Sequence, residues 1–267
     1  MSTVADLESA LSTYVKPLTS PIGVKMLASG ETVPEKVKVP LRDFKMRIAI
    51  CQATSLARKY GWVLALGKED QTCPIGSVVL GFQPPIPFYL EGSLCEGMYT
   101  KTKEAGARSE ATVKRFPYGK YEKMLIGAAS RLGVDPDLII VYGNAAQVMR
   151  LVHAALYNEG GTLTSSFSGR GECSEMIVNT MESGQCQVIL PGNGERVFGH
   201  TQDDEMAFTI PFGKIKDVIE GLEGTHKGGV RYPITSFLMY EAKFPPKYKE
   251  LEAMWQQAGG GGSDEGR

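Results

Sequence analysis

The run from Asp137 to Tyr142, DLIIVY, constrains the fold most. It is continuous, apolar and rich in β-branched residues, and it is too short for a buried helix, so it reads as a buried strand. Gly143 and Asn144 then mark a turn, and Ala145 to Tyr157 reads as a helix. The same alternation recurs on both sides of this unit. Residues 3–13 read as a short amphipathic helix and Ile22 to Leu27 as a strand. Residues 29–47 are polar and punctuated by proline, which suggests a loop. A strand is expected at Met46 to Ile50, a helix at Gln52 to Tyr60 ended by Gly61, and a strand at Trp62 to Leu66. Residues 93–112 are helical in composition, and Lys120 to Leu132 fits strand or helix. Further strands are expected at 162–167, 187–190 and 206–210, a helix near 173–181, and a last helix at 214–222 before a loop from Gly224 to Pro233. Strands alternating with helices predict a mixed α/β fold, one domain over residues 3–250 with a mixed sheet flanked by helices. A weak internal echo accompanies it: strand, Cys51, helix, glycine, strand resembles strand, Cys173, helix, Gly184, strand. The tail from 259 to 267, GGGGSDEGR, has no core residues and reads as disordered.

Charge and cysteine content narrow the setting. Lys plus Arg number 29 and Asp plus Glu 30, a balance that argues against a nucleic-acid coat or a polybasic membrane binder. Two stretches, 31–62 and 101–123, are each net +4, but acids are interspersed in both and they read as solvated faces. The longest uncharged stretch, Gln71 to Leu90, contains Pro74, Pro84, Pro85 and Pro87, which a lipid-exposed helix would not tolerate. The first 20 residues have no basic start and no long apolar run. Five cysteines, Cys51, Cys73, Cys95, Cys173 and Cys186, are an odd number, so reduced thiols in a cytoplasm are the expectation.

Three of those cysteines stand where chemistry is placed. Cys51 lies where a strand hands over to a helix, Cys73 in a loop before Pro74, and Cys173 near another helix start. Backbone N–H groups at such positions favour a thiolate, which serves as nucleophile or metal ligand. The alternative is that each is a small buried hydrophobe, and Cys95 and Cys186 are read that way. No CxxC pair or zinc-finger spacing is present, so a metal ion or iron–sulfur cluster on Cys51, Cys73 and Cys173 would have to be assembled by the fold. The run Ser166-Phe167-Ser168-Gly169-Arg170 resembles an anion cradle: hydroxyls and a glycine expose backbone donors, and Arg170 adds a guanidinium fork. His226, beside Lys227 in a glycine-flanked segment, is the histidine best placed for acid–base work. Together these residues predict an enzyme of small-molecule metabolism. Cys51, Cys73, Cys173 and His226 would be catalytic, Ser166, Ser168, Gly169 and Arg170 would hold an anionic, carboxylate-bearing ligand, and no nucleic acid or membrane would be engaged. The competing reading is a non-catalytic module that binds a small anion or senses redox state.

Cys51-Gln52-Ala53, Cys73-Pro74, Gly143-Asn144, Ser166 to Arg170, Cys173 with Glu175, and Thr225-His226-Lys227 with Arg231-Tyr232-Pro233 occur in that order. This ordered set resembles a bacterial and archaeal family of unknown function, the archaeal-conserved-region group, over roughly residues 15–235. The resemblance implies a single-domain cytoplasmic α/β protein and supplies no reaction. It also exposes a departure: such relatives often carry a further cysteine in the turn after Leu190-Pro191, where this chain has Gly192.

Overall fold

The computed structural model describes residues 3–232 and 244–259. Along the chain, α1 (Val4–Tyr14) leads into β1 (Ile22–Leu27). Helices α2 (Pro40–Asp43) and α3 (Ile50–Tyr60) precede β2 (Val63–Gly67), and α4 (Pro74–Val79), α5 (Pro87–Leu90) and α6 (Lys103–Thr112) separate it from β3 (Lys123–Ala128). Then follow β4 (Leu138–Gly143), α7 (Ala145–Ala155), and a π-helical turn at Ser174–Asn179 that continues as α8 (Thr180–Ser183). The unit closes with β5 (Gln187–Ile189), α9 (Asn193–Gly199), β6 (Met206–Pro211) and α10 (Ile215–Lys227). A separate unit, beginning at residue 234, carries α11 (Pro246–Gly259). Residues 233–243 and 260–267, which include part of the expected domain and nearly all of the expected tail, lie outside the described residues.

The protein is a mixed α+β fold built on one six-stranded sheet in the order β2-β3-β1-β4-β6-β5. The expected mixture of strand directions is not found: every ladder of this sheet is antiparallel, with β1 against β3 from Ile22↔Ala128 to Leu27↔Lys123. An intervening helix shows that the chain leaves the sheet between strands; it does not fix the direction in which the chain returns. Residues 162–167 contain no strand, and the strand expected at 46–50 is reduced to a single bridge, Ile48↔Gln71.

All six residues of β4 are buried, as its apolar run required. Asn144 then caps α7 reciprocally: its side chain accepts the Gln147 N–H at 3.0 Å, and the Gln147 side chain accepts the Asn144 N–H at 2.9 Å. Alternate residues of the strands feed two cores. Ile22, Val24, Leu138, Ile140 and Tyr142 face α3 and the π-helical turn, and Ile139, Val141, Phe208 and Ile210 face α1, α7 and α10. Among the described residues no helix is long and apolar enough to cross a membrane.

The strand order repeats within the chain. The first half places β1 at the centre, β3 beside it and β2 at the edge; the second places β4 at the centre, β6 beside it and β5 at the edge. In each half a helix ends at a left-handed glycine, Gly61 at φ 67° or Gly184 at φ 63°, just before the edge strand. Of the sequence echo around Cys51 and Cys173, the helix, the glycine and the following strand recur in both halves, while neither strand expected ahead of the cysteine forms.

The loop expected from Gly224 to Pro233 begins later than its glycines suggest, with residues 228–232 outside any helix or strand and residue 233 outside the described residues. Helix α10 continues to Lys227 and carries His226 in its last turn. A Cβ at Gly221 would stand 2.0 Å from the Ala154 carbonyl oxygen, and one at Gly224 would meet the Tyr157 ring at 2.2 Å. These glycines allow α10 to lie close against α7, so they are packing residues and not chain breakers. Gly221→Ala is expected to force the two helices apart and cost at least about 1–3 kcal/mol, the range for overpacking. A thermal unfolding midpoint equal to that of the wild type would refute this.

Candidate functional site

On the α3 face of the sheet a half-enclosed cavity of about 580 Å³ opens where four helical segments begin. Its lining comes from the starts of α3, α4 and α9 and from residues 169–173 ahead of the π-helical turn. The first N–H groups of each segment lack intrahelical partners, and their dipoles direct positive potential into the space. The internal repeat explains the convergence: α3 and the π-helical turn occupy matching places, as do α4 after β2 and α9 after β5.

The fold brings Cys51, Cys73, Cys173, Gly169 and Arg170 onto this one cavity. Cys51 is the second residue of α3, and a Cβ placed on Gly194 would be 3.5 Å from its sulfur. Cys73 caps α4, where its Sγ accepts the Gly76 N–H at 3.4 Å. Burial pushes the Cys51 thiol above its ordinary range, and the Glu195 carboxyl is the strongest charge acting in the same direction. Cys173 is also raised, first by burial and then by Cys73 and Cys51. All five cysteines are free. Among the described residues, no three His, Cys, Asp or Glu side chains stand in an arrangement that could hold a metal ion.

Two carboxyls that sequence reasoning passed over line the cavity with the thiols. Glu195, in the first turn of α9, is 3% exposed and accepts the Tyr142 hydroxyl at 2.9 and 2.8 Å on its two oxygens. Burial raises it to about 7; the Tyr142 hydrogen bond opposes that shift and neighbouring Glu172 adds to it. Behind Tyr142 the Arg58 guanidinium lies 4.1 Å from the ring centroid and pairs with Glu205 at 2.6 Å. Burial also raises Glu172, and its carboxylate lies against Gly192: a Cβ there would fall 1.5 Å from Glu172 Oε1. The carboxyl of Glu172 therefore fills the space that a side chain at residue 192 would enter. No local pattern marks Glu195, because Asn193-Gly194-Glu195-Arg196 has the composition of a solvated turn.

Ser166, Ser168 and His226 lie outside the cavity lining, and the Arg170 side chain, although it borders the cavity, is engaged within the protein. The Arg170 guanidinium turns inward, is 4% exposed, and pairs with the buried Glu110 carboxylate between the rings of Tyr89 and Tyr99. The Ser168 hydroxyl donates to Glu175 Oε1 at 2.7 Å, and the Ser168 N–H donates to the same oxygen. The turn read as a cradle for an external anion thus holds the chain's own carboxylate. Ser166 accepts a hydrogen bond from Asn179 outside the cavity lining. His226 sits on α10, across the sheet from the cavity, 5.0 Å from the Tyr14 ring. Its distance from the thiols follows directly from the continuation of α10.

Residues 10–221 match the DUF169 family, described as uncharacterised ArCR. A protein of Methanocaldococcus jannaschii named "Uncharacterized protein MJ0308" is 27% identical over 207 residues, which cover 76% of this chain and 86% of that one. No solved structure matches the chain.

Proposed function

The chain belongs to the DUF169 family, and from that premise we propose that it is an enzyme acting on a small organic molecule in the cysteine-lined cavity, with Glu195 as the proton-transferring group. The carrying observation is a buried carboxyl raised to about 7, facing three thiols in a space large enough for a metabolite. In this reading the Cys51 thiol adds to a carbonyl carbon of the substrate: the sulfur–carbon bond forms as the C=O π pair moves onto oxygen, and the thiol proton passes to the Glu195 carboxylate, which can deliver it to that oxygen. Near neutral pH Glu195 is available in both protonation states, so it can also return the proton to the product. The helix starts supply donors toward charge developing on sulfur or substrate. A reducing cytoplasm suits a site whose thiols must remain free.

The test works without naming a substrate in advance. Purified protein is incubated with a cellular small-molecule extract, and loss of individual compounds is followed by mass spectrometry. At least one compound should be consumed by the wild type and spared by both Cys51→Ser and Glu195→Gln. Consumption of nothing, or equal consumption by the variants, would overturn the reading.

One observation favours a second reading, in which the thiols hold a metal ion or cluster. Burial pushes the Cys173 thiol up most, and Cys73, Cys51, Glu172 and Glu195 add to it, a repulsion that a bound cation would offset. Side chains would have to turn to provide the geometry. Protein purified without oxygen should then carry about one zinc, or stoichiometric iron with visible absorption, and lose it in each of Cys51→Ala, Cys73→Ala and Cys173→Ala. Trace metal that survives all three substitutions would rule this reading out.

A further inference from the structure

A second cavity of about 450 Å³ adjoins the cysteine-lined one, and Met46, Gln52 and Phe198 line both. The walls of the outer part are aromatic: Phe44, Tyr60, Trp62 and Phe198. Phe44 and Trp62 stack with centroids 5.5 Å apart, while Tyr60 and Phe198 are 64% and 55% exposed. Among the described residues no acidic side chain lines this part. Cations edge it instead. Lys59 is in the lining, Lys38 Nζ lies 4.9 Å from the Trp62 ring centroid, and Arg47 lines the adjoining cysteine cavity. Among the described residues none of these three cations makes an ion pair.

We propose that the two cavities act as one groove that binds an elongated anion bearing a planar aromatic ring, with the ring among Tyr60, Trp62 and Phe198, the negative charge against Arg47 and Lys59, and the far end directed toward Cys51 and Glu195. The assignment of the far end rests on the proposed function; the aromatic subsite stands without it. Ring faces gain by offset stacking on exposed aromatics, and leaving those aromatics in water is unfavourable. Cations without acidic partners supply the complementary charge, and the Glu172 and Glu195 carboxyls stand in the adjoining cavity and not in this aromatic wall. A flexible aliphatic acid would meet the same charges but lose the stacking.

The probe is 2-naphthylacetate, titrated into the full-length protein while the Trp62 indole N–H is followed by NMR, its signal assigned with Trp62→Leu. Saturable binding is expected, at least fivefold weaker in Phe198→Ala and in Arg47→Gln, and at least tenfold weaker for cyclohexylacetate. Bound probe should also slow alkylation of Cys51 or Cys73 by iodoacetamide. Equal affinity for cyclohexylacetate or for uncharged 2-naphthylethanol would overturn the proposal, as would unchanged affinity in both variants. Binding without protection of either thiol would overturn the continuity of the groove. Repeating the titration with Glu195→Gln separates the two readings: binding should persist there, so loss of the catalytic reading would leave this one standing, and the converse.

Discussion

Glu195→Gln should make the protein more stable above neutral pH. A carboxyl raised from its ordinary 4.5 to about 7 binds a proton in the folded state that the unfolded chain has already released. Stability is therefore full below about pH 4.5 and declines until the pH has risen through 7. The slope is about 1.4 kcal/mol for each pH unit crossed, or about 3 kcal/mol in all. Glutamine keeps an oxygen to accept the Tyr142 hydroxyl and has no charge to bury. The variant should match the wild type near pH 4.5 and unfold roughly 6–12 °C higher at pH 8, using about 2–4 °C per kcal/mol for a chain of this size. Calorimetric scans at the two pH values decide the matter, and identical midpoints at pH 8 would show that Glu195 carries no such burden. A group retained at that cost to stability is one a chemical role explains.

The second large effect is at Arg170. Its guanidinium and the Glu110 carboxylate are each 1% exposed at the side chain, and the Cys95 thiol donates to the same carboxylate at 3.2 Å. Arg170→Ala leaves Glu110 buried with only distant help from Arg115, 4.0 Å away. Removing one partner of a buried pair costs about 3–5 kcal/mol, mostly through the uncompensated charge that remains. The urea midpoint should fall accordingly, while Arg170→Met combined with Glu110→Leu should recover most of the loss. If the single variant does not fold, the double variant still reports. A double variant as unstable as the single one would locate the cost in packing and not in the orphaned carboxylate.

These two residues also show what could be read from the chain before folding. The buried strand at 138–143, its asparagine-capped helix and the three cysteines at helix starts carry local signals: an apolar run, a capping pair, a change of periodicity. The partner of Arg170 does not. Glu110 is 60 residues away on α6, and nearer acids such as Glu172 and Glu175 are the obvious sequence choices. Glu195 was invisible for the opposite reason, since its polar neighbours describe a surface turn while tertiary packing buries it. His226 was misplaced because glycine is ambiguous: it breaks helices in water and permits close contact between helices in a core. Strand direction could not be read at all, because nothing local encodes it.

The repeated order of strands bears on the symmetry of what the cavity can recognise. Two identical halves meeting through β1 and β4 would present equal surfaces to a ligand and suit one that looks the same from either end. Joined in one chain, the halves are free to drift apart. One side here keeps a sulfur at Cys73, while the matching turn on the other side has Gly192 with the Glu172 carboxylate folded over it. A ligand of the kind proposed would therefore meet a left hand and a right hand, and one of its two orientations would be favoured over the other.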